Sequence, residues 1–157
     1  MNKSASKAPT QRIKKAVVFL DLDNFGKIVT EHSLSKYTPN IITGTLTHLV
    51  YSLVQRYNAV VLHGLDWQRG TEEALIEITE PDMPSLISDL KAIKEKIASL
   101  GKETGTNATL SIGVAIGYES IFVKPSSRKS LFNTPLRRLA KRALSLAKKK
   151  KNDLVLL

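Results

Sequence analysis

Two acidic clusters follow or precede apolar runs in this chain, and their residue types suit metal and phosphate chemistry. The first closes the run Val17-Val18-Phe19-Leu20 with Asp21-Leu22-Asp23-Asn24-Phe25. The second is Glu72-Glu73, preceded by Arg69-Gly70-Thr71 and followed by Ala74-Leu75-Ile76. If the two segments are neighbouring strands, Asp21, Asp23, Glu72 and Glu73 meet in one place. Carboxylates gathered in this way repel one another unless a divalent cation or protons neutralise them. Oxygen ligands select a hard cation, and a hard cation suits phosphate chemistry.

Bland readings stand beside these. Asp23 or Asn24 can cap a short helix, and Glu72 and Glu73 can decorate an exposed hairpin. For Asp21, which follows four apolar residues, metal ligation is the favoured reading, because burying a lone carboxylate is costly. His63 reads as a structural strand residue, and Trp67 as a packing cover or a base-stacking group.

The elements that must position these residues follow from periodicity. Lys15–Leu22 reads as a buried strand. Ile41, Ile42, Leu46, Leu49, Val50, Leu53 and Val54 have helical spacing, which predicts a helix from about Pro39 to Tyr57. Ala59–His63 and Glu73–Thr79 read as a hairpin with its turn at Asp66–Thr71, between Gly64 and Gly70. Pro84 opens a helix with Leu86, Leu90, Ile93, Ile97 and Leu100 on one face, ending at Gly101. Ala108–Ile116 alternates as a strand. Ile121–Pro135 reads as a loop, Pro135 to about Lys150 as a helix, and Asp153–Leu157 as a short final strand. This order predicts an α/β sandwich with a central mixed sheet and helices packed around it.

The chain has 157 residues, 42% of them apolar, which fits one domain with a sizeable core. Residues 1–12 read as a disordered basic tail and 13–157 as the domain. With no cysteine, disulfide frameworks and thiolate metal sites are excluded. No apolar stretch is long enough to span a bilayer and no apolar signal core follows the charged start, so no membrane partner and a cytoplasmic location are expected. The net charge of +10 is uneven. The segments Met1–Lys15 and Arg137–Lys151 carry many cations and no acid. Such ends attract polyphosphate or nucleic acid, or simply form a solvated tail and helix face. Lys148 to Lys151 read either as phosphate ligands or as a helix end that complements the helix dipole.

Taken together, these motifs resemble the GGDEF domain family, the diguanylate cyclases, over roughly Lys15 to Leu157. Asp21-Leu22-Asp23-Asn24-Phe25 is similar to the family's Asp-x-Asp-x-Phe at the end of the first strand. Gly70-Thr71-Glu72-Glu73-Ala74 stands where the family carries Gly-Gly-Asp/Glu-Glu-Phe. Ser111-Ile112-Gly113-Val114 matches its Ser-Ile-Gly-Val strand, and Ala140 to Lys148 resembles its late Ala-Asp-x-Ala-Leu-Tyr-x-Ala-Lys helix.

The resemblance implies a palm-like, ferredoxin-like fold with a mostly antiparallel sheet. It implies Mg²⁺ or Mn²⁺ held by Asp21, the Leu22 carbonyl and Glu72, with Glu73 reading the base or assisting chemistry. Lys148 and Lys151 would hold the triphosphate, and turn amides near Asn24, Phe25 and Gly26 would cradle phosphate oxygens. The implied activity is purine nucleoside triphosphate (ATP or GTP) binding with nucleotidyl transfer or cyclisation. Joining two nucleotides would call for a homodimer.

The departures from the family pattern fall on base-specific positions. Thr71 replaces the second signature Gly, Ala74 the Phe, Val29 the guanine-reading Asn and Lys141 the helix Asp, and no Arg-x-x-Asp precedes the signature. A guanine-specific diguanylate cyclase is therefore not expected. Three alternatives stand beside the active enzyme. One is a catalytically degenerate regulatory domain that binds nucleotide or protein. Another is an enzyme like archaeal GTP cyclohydrolase III, whose Asp-Asn-Tyr-Gly resembles Asp23-Asn24-Phe25-Gly26. The last is a basic nucleic-acid-binding module. Minimal polymerase-like cyclases related to the palm of CRISPR effectors are similar as well.

Overall fold

A computed structural model describes residues 12–35, 37–120 and 131–157. The element order is β1 (Arg12–Leu22), α1 (Phe25–Glu31), α2 (Ile41–Tyr57), β2 (Val60–Gly64), β3 (Glu73–Thr79), α3 (Met83–Thr104), β4 (Leu110–Ser120), α4 (Pro135–Lys150) and β5 (Leu154–Leu156). This is the order the periodicity predicts. The strands form one sheet in the order β2-β3-β1-β4-β5. All neighbours run antiparallel except the parallel pair β4 and β5. Among the described residues no helix is long and apolar enough to cross a membrane.

The sheet is covered on both faces, which explains why its central strand reads as a continuous apolar run. Successive side chains of a strand point to opposite faces. Ala16, Val18, Leu20 and Leu22 pack in the core with α1, α2 and α3, whereas Val17 and Phe19 pack with Leu136, Ala140 and Leu144 of α4. Asp21 continues the second series, and this parity puts it on the α4 side.

Three boundaries differ from the sequence expectation. β1 begins at Arg12, so Arg12 of the expected tail is strand; residues 1–11 of that tail lie outside the described residues. α3 runs through Gly101, which is buried against the backbone of Ala108, and ends at Gly105 with φ 74°. β4 extends to Ser120 because β1 pairs with it as far as Arg12 opposite Ser120. Of the expected loop, residues 121–130 lie outside the described residues.

Gly113 decides how close α4 comes to the sheet. A Cβ there would fall 2.2 Å from the Leu144 amide nitrogen and 2.6 Å from the Ala140 carbonyl. With Ala140, Ala143 and Ala147 on the inner face, α4 lies almost directly on the β4 backbone. That close approach carries Lys148 to the end of β1.

Candidate functional site

β1 pairs with β3 and β4 so that Asp21 stands opposite Glu73 on one side and Ser111 on the other. The register therefore brings Glu73, rather than Glu72, beside Asp21. Glu72 is exposed, and its main-chain carbonyl accepts the Leu22 N–H at 3.0 Å. The two-residue period of a strand separates adjacent acids to opposite faces. A run of two glutamates does not reveal from sequence which of them faces the aspartate.

Lys148 completes the cluster. Its Nζ lies 3.0 Å from Asp21 Oδ2, 3.2 Å from Asp23 Oδ1 and 3.1 Å from the Leu22 carbonyl oxygen. Burial pushes the Asp21 carboxyl up to about 6, although Lys148 opposes the shift; Glu73 and Asp23 add to it by repulsion.

Asp23 is placed differently. Its carboxylate accepts the Ser111 hydroxyl at 2.8 Å, the Thr109 hydroxyl at 2.8 Å and the Asn152 amide at 2.9 Å. Burial alone would raise its pKa; those donors and Lys148 outweigh burial and hold it below the ordinary value. Asp23 thus fastens the start of β4 and the turn after α4 to the end of β1. It does not cap α1. That position falls to Asn24, with φ 51° and no side-chain capping bond.

The hairpin tip is held by α2. The Thr71 hydroxyl lies 2.7 Å from that of Thr47, and the Thr71 amide donates to the Thr43 carbonyl at 3.3 Å. The Asp66 carboxylate accepts the amides of Gln68 and Arg69 at 2.9 Å each. Gly70 has φ 91°, and a Cβ there would lie 2.2 Å from Thr43 Oγ1. The first signature glycine is therefore required by backbone geometry and by contact with α2, while Thr71 uses its hydroxyl as a lock. Trp67 packs edge-on against His48 and Tyr51, with centroids 5.2 and 5.3 Å away, and stays half exposed.

Beside the cluster lies a cavity of about 310 Å³. Asp66, Glu72, Glu73, His63 and Arg69 supply its charged and titratable wall, with Phe25 and Val29 of α1 at its apolar side. Asp21, Asp23 and Lys148 are not part of its lining. His63 was legible in sequence only as a strand residue. The bulge between Val61 and His63 turns its ring toward Glu73, where Nε2 lies 2.8 Å from Oε1. Phe25 is buried in the core, whereas Gly26 is exposed. Lys151 ends α4 with φ 64°, its amide bonded to Ala147 and its side chain exposed.

The donor set is oxygen-rich and converges on a positive charge, since Asp21 and the Leu22 carbonyl both contact the Lys148 ammonium. That convergence fits a hard cation. Among the described residues, no group of three His, Asp or Glu side chains is already arranged around a metal position.

This architecture is that of the GGDEF-like palm fold, which the catalytic domains of adenylyl and guanylyl cyclases share. A bacterial light-regulated adenylyl cyclase superposes with a TM-score of 0.63 at 16% identity, over 88% of this chain and 72% of that one. The GGDEF domain of FimX from Pseudomonas aeruginosa gives 0.54 at 16% identity, over 92% and 81%. The catalytic core of a rhodopsin-guanylyl cyclase with converted specificity, in complex with ATPαS, gives 0.58 at 15% identity, over 93% and 78%. No family model and no curated protein sequence matches the chain.

Proposed function

We propose that this domain binds a purine nucleoside triphosphate with Mg²⁺ or Mn²⁺ at the end of β1 and performs nucleotidyl transfer or cyclisation. One observation carries the reading: Asp21 Oδ2 and the Leu22 carbonyl oxygen converge on a single cation, the Lys148 ammonium, at 3.0 and 3.1 Å. Two oxygens already gathered on a positive charge are part of the oxygen shell that a hard cation takes, and the cavity beside them has room for a ligand.

Asp21 and the Leu22 carbonyl would hold the metal, with Glu73, which the register sets opposite Asp21, as the further carboxylate in place of Glu72; when bound, the metal would supply positive charge to the triphosphate oxygens. The chain's own residues do the rest. Lys148 moves from the carboxylates to the phosphates and neutralises their charge. Arg69 adds a guanidinium to the cavity wall. His63 fixes the orientation of Glu73 through their 2.8 Å contact. Phe25 and Val29 offer an apolar wall to a base. Joining two nucleotides would require a second copy of the domain, each copy bringing one substrate.

A second reading, a domain that binds nucleotide without turning it over, draws on the same ammonium, which in this structure takes up the oxygens a metal would need.

The test is incubation of the protein with ATP, GTP, CTP or UTP and Mg²⁺ or Mn²⁺, with pyrophosphate and nucleotide products followed by chromatography. Product formation lost in Asp21→Ala and Glu73→Ala supports the enzyme. Metal-dependent nucleotide binding without product supports the silent domain. Neither product nor binding overturns both readings.

A further inference from the structure

α4 covers its face of the sheet with Leu136, Ala140, Ala143, Leu144 and Ala147, and turns a different surface outward. Arg138, Lys141, Arg142, Lys149 and Lys150 are exposed there, with only Ser145 and the marginally exposed Leu146 between them. At 1.5 Å per residue these cations extend over about 18 Å of helix. None of them is ion-paired among the described residues, and the helix contains no acid.

This arrangement differs from a solubilising face. α3 mixes Lys91, Lys94, Lys96 and Lys102 with Asp89, Glu95 and Glu103 along its length, as an ordinary charged surface does. On α4 like charges sit three and four residues apart, a spacing that destabilises a helix. A polyanion laid along the face removes that repulsion.

We propose that the outer face of α4 binds the phosphate backbone of duplex nucleic acid without reading its sequence. The chemistry selects this occupant. A helix that lies on a membrane needs a free apolar side, and the apolar side of α4 is buried against the sheet. Single-strand binders stack bases on aromatic rings. Among the described residues, Phe132 lies under Lys141, with the Lys141 Nζ 4.8 Å from its ring centroid. The face has no Asn, Gln, Asp or Glu to read adenine or cytosine edges, and its Arg and Lys, which in a groove can also read guanine, are spread in a row along the helix. What remains is a row of cations matched to phosphates, whose binding is sequence-independent and sensitive to salt.

The experiment uses the full chain and labelled duplexes of DNA and of RNA about 20 base pairs long, titrated by fluorescence anisotropy at several salt concentrations. Lys141→Glu/Arg142→Glu/Lys149→Glu is compared with Lys91→Glu/Lys96→Glu/Lys102→Glu on α3, which has the same net charge. The expected result is binding of a duplex by the parent chain, weakened at least ~30-fold in the α4 variant and less than ~3-fold in the α3 variant. The slope of log affinity against log salt should fall by about 3 in the α4 variant only. Equal losses in the two variants overturn the proposal, because net charge alone would then explain the binding. So do the absence of duplex binding, tighter binding to an oligothymidylate of the same length, and α4-dependent binding to phosphatidylserine vesicles alone. None of these outcomes depends on nucleotide turnover.

Discussion

Lys148 Nζ sits 3.0 Å from Asp21 Oδ2 and 3.1 Å from the Leu22 carbonyl, so a side chain at the end of the last helix sets its positive charge against the end of the first strand. An ammonium and a divalent ion cannot share those oxygens. At a separation of about 3 Å and an effective dielectric of ~20, their repulsion is on the order of 10 kcal/mol. Metal binding and the Lys148 contact are thus mutually exclusive.

Replacing the ammonium should expose this competition. Lys148→Met is expected to raise Mn²⁺ affinity in the absence of nucleotide by at least ~10-fold, equivalent to about 1.4 kcal/mol. Isothermal titration calorimetry reads it directly. Unchanged or weaker Mn²⁺ binding would show that the oxygens around Lys148 are not metal ligands.

Asp21 and Asp23 should respond to pH in opposite directions. A folded pKa of about 6, above the ordinary 3.8, means that the folded protein holds the Asp21 proton more tightly than the unfolded chain does. Its contribution is present below 3.8 and is lost as pH rises through about 6. Asp21→Asn is therefore expected to stabilise the protein at pH ~7.5 by about 1–2 kcal/mol, after discounting for residual solvent access, with the gain shrinking toward pH ~4. Asp23 has a lowered pKa, so its contribution is present above 3.8 and is lost as pH falls through its lower folded value. Asp23→Ala is expected to cost about 2–4 kcal/mol at neutral pH, because it leaves buried donors unsatisfied. Urea unfolding in EDTA across this pH range measures both; a destabilised Asp21→Asn at neutral pH would contradict the reasoning.

Gly113 links the fold to the site. Gly113→Val places atoms where the Ala140 carbonyl and Leu144 amide lie, and α4 must move away from the sheet. The expected cost is about 2–4 kcal/mol, at or above the upper part of the usual overpacking range because the clash is with backbone. Lys148 should leave Asp21 with it. Thermal unfolding and the chemical shift of the Lys148 ammonium give independent readouts, and a variant as stable as the parent would contradict this packing.

The element order was legible in the sequence because each strand and helix carries its own period. Val17 to Leu20 reads as a buried strand, and Leu86 to Leu100 as one helical face, without reference to anything distant. The acidic end of β1 was legible for the same reason: four apolar residues followed by Asp21 announce a strand end that carries a carboxylate. The outer charge of α4 was written in its composition.

Pairing between distant segments was settled only by the tertiary structure. Strand register chose Glu73 over Glu72 as the neighbour of Asp21, since a shift of one residue exchanges the faces of a strand. The roles of Asp21 and Asp23 diverged because Thr109, Ser111 and the Asn152 amide gather on one and not the other. His63 joined Glu73 through a bulge that local sequence does not encode. Lys148 met Asp21 because Gly113 and the alanines of α4 let the helix lie close to the sheet. A sequence specifies local conformation by propensity and period, but which charges meet depends on contacts between residues far apart in the chain.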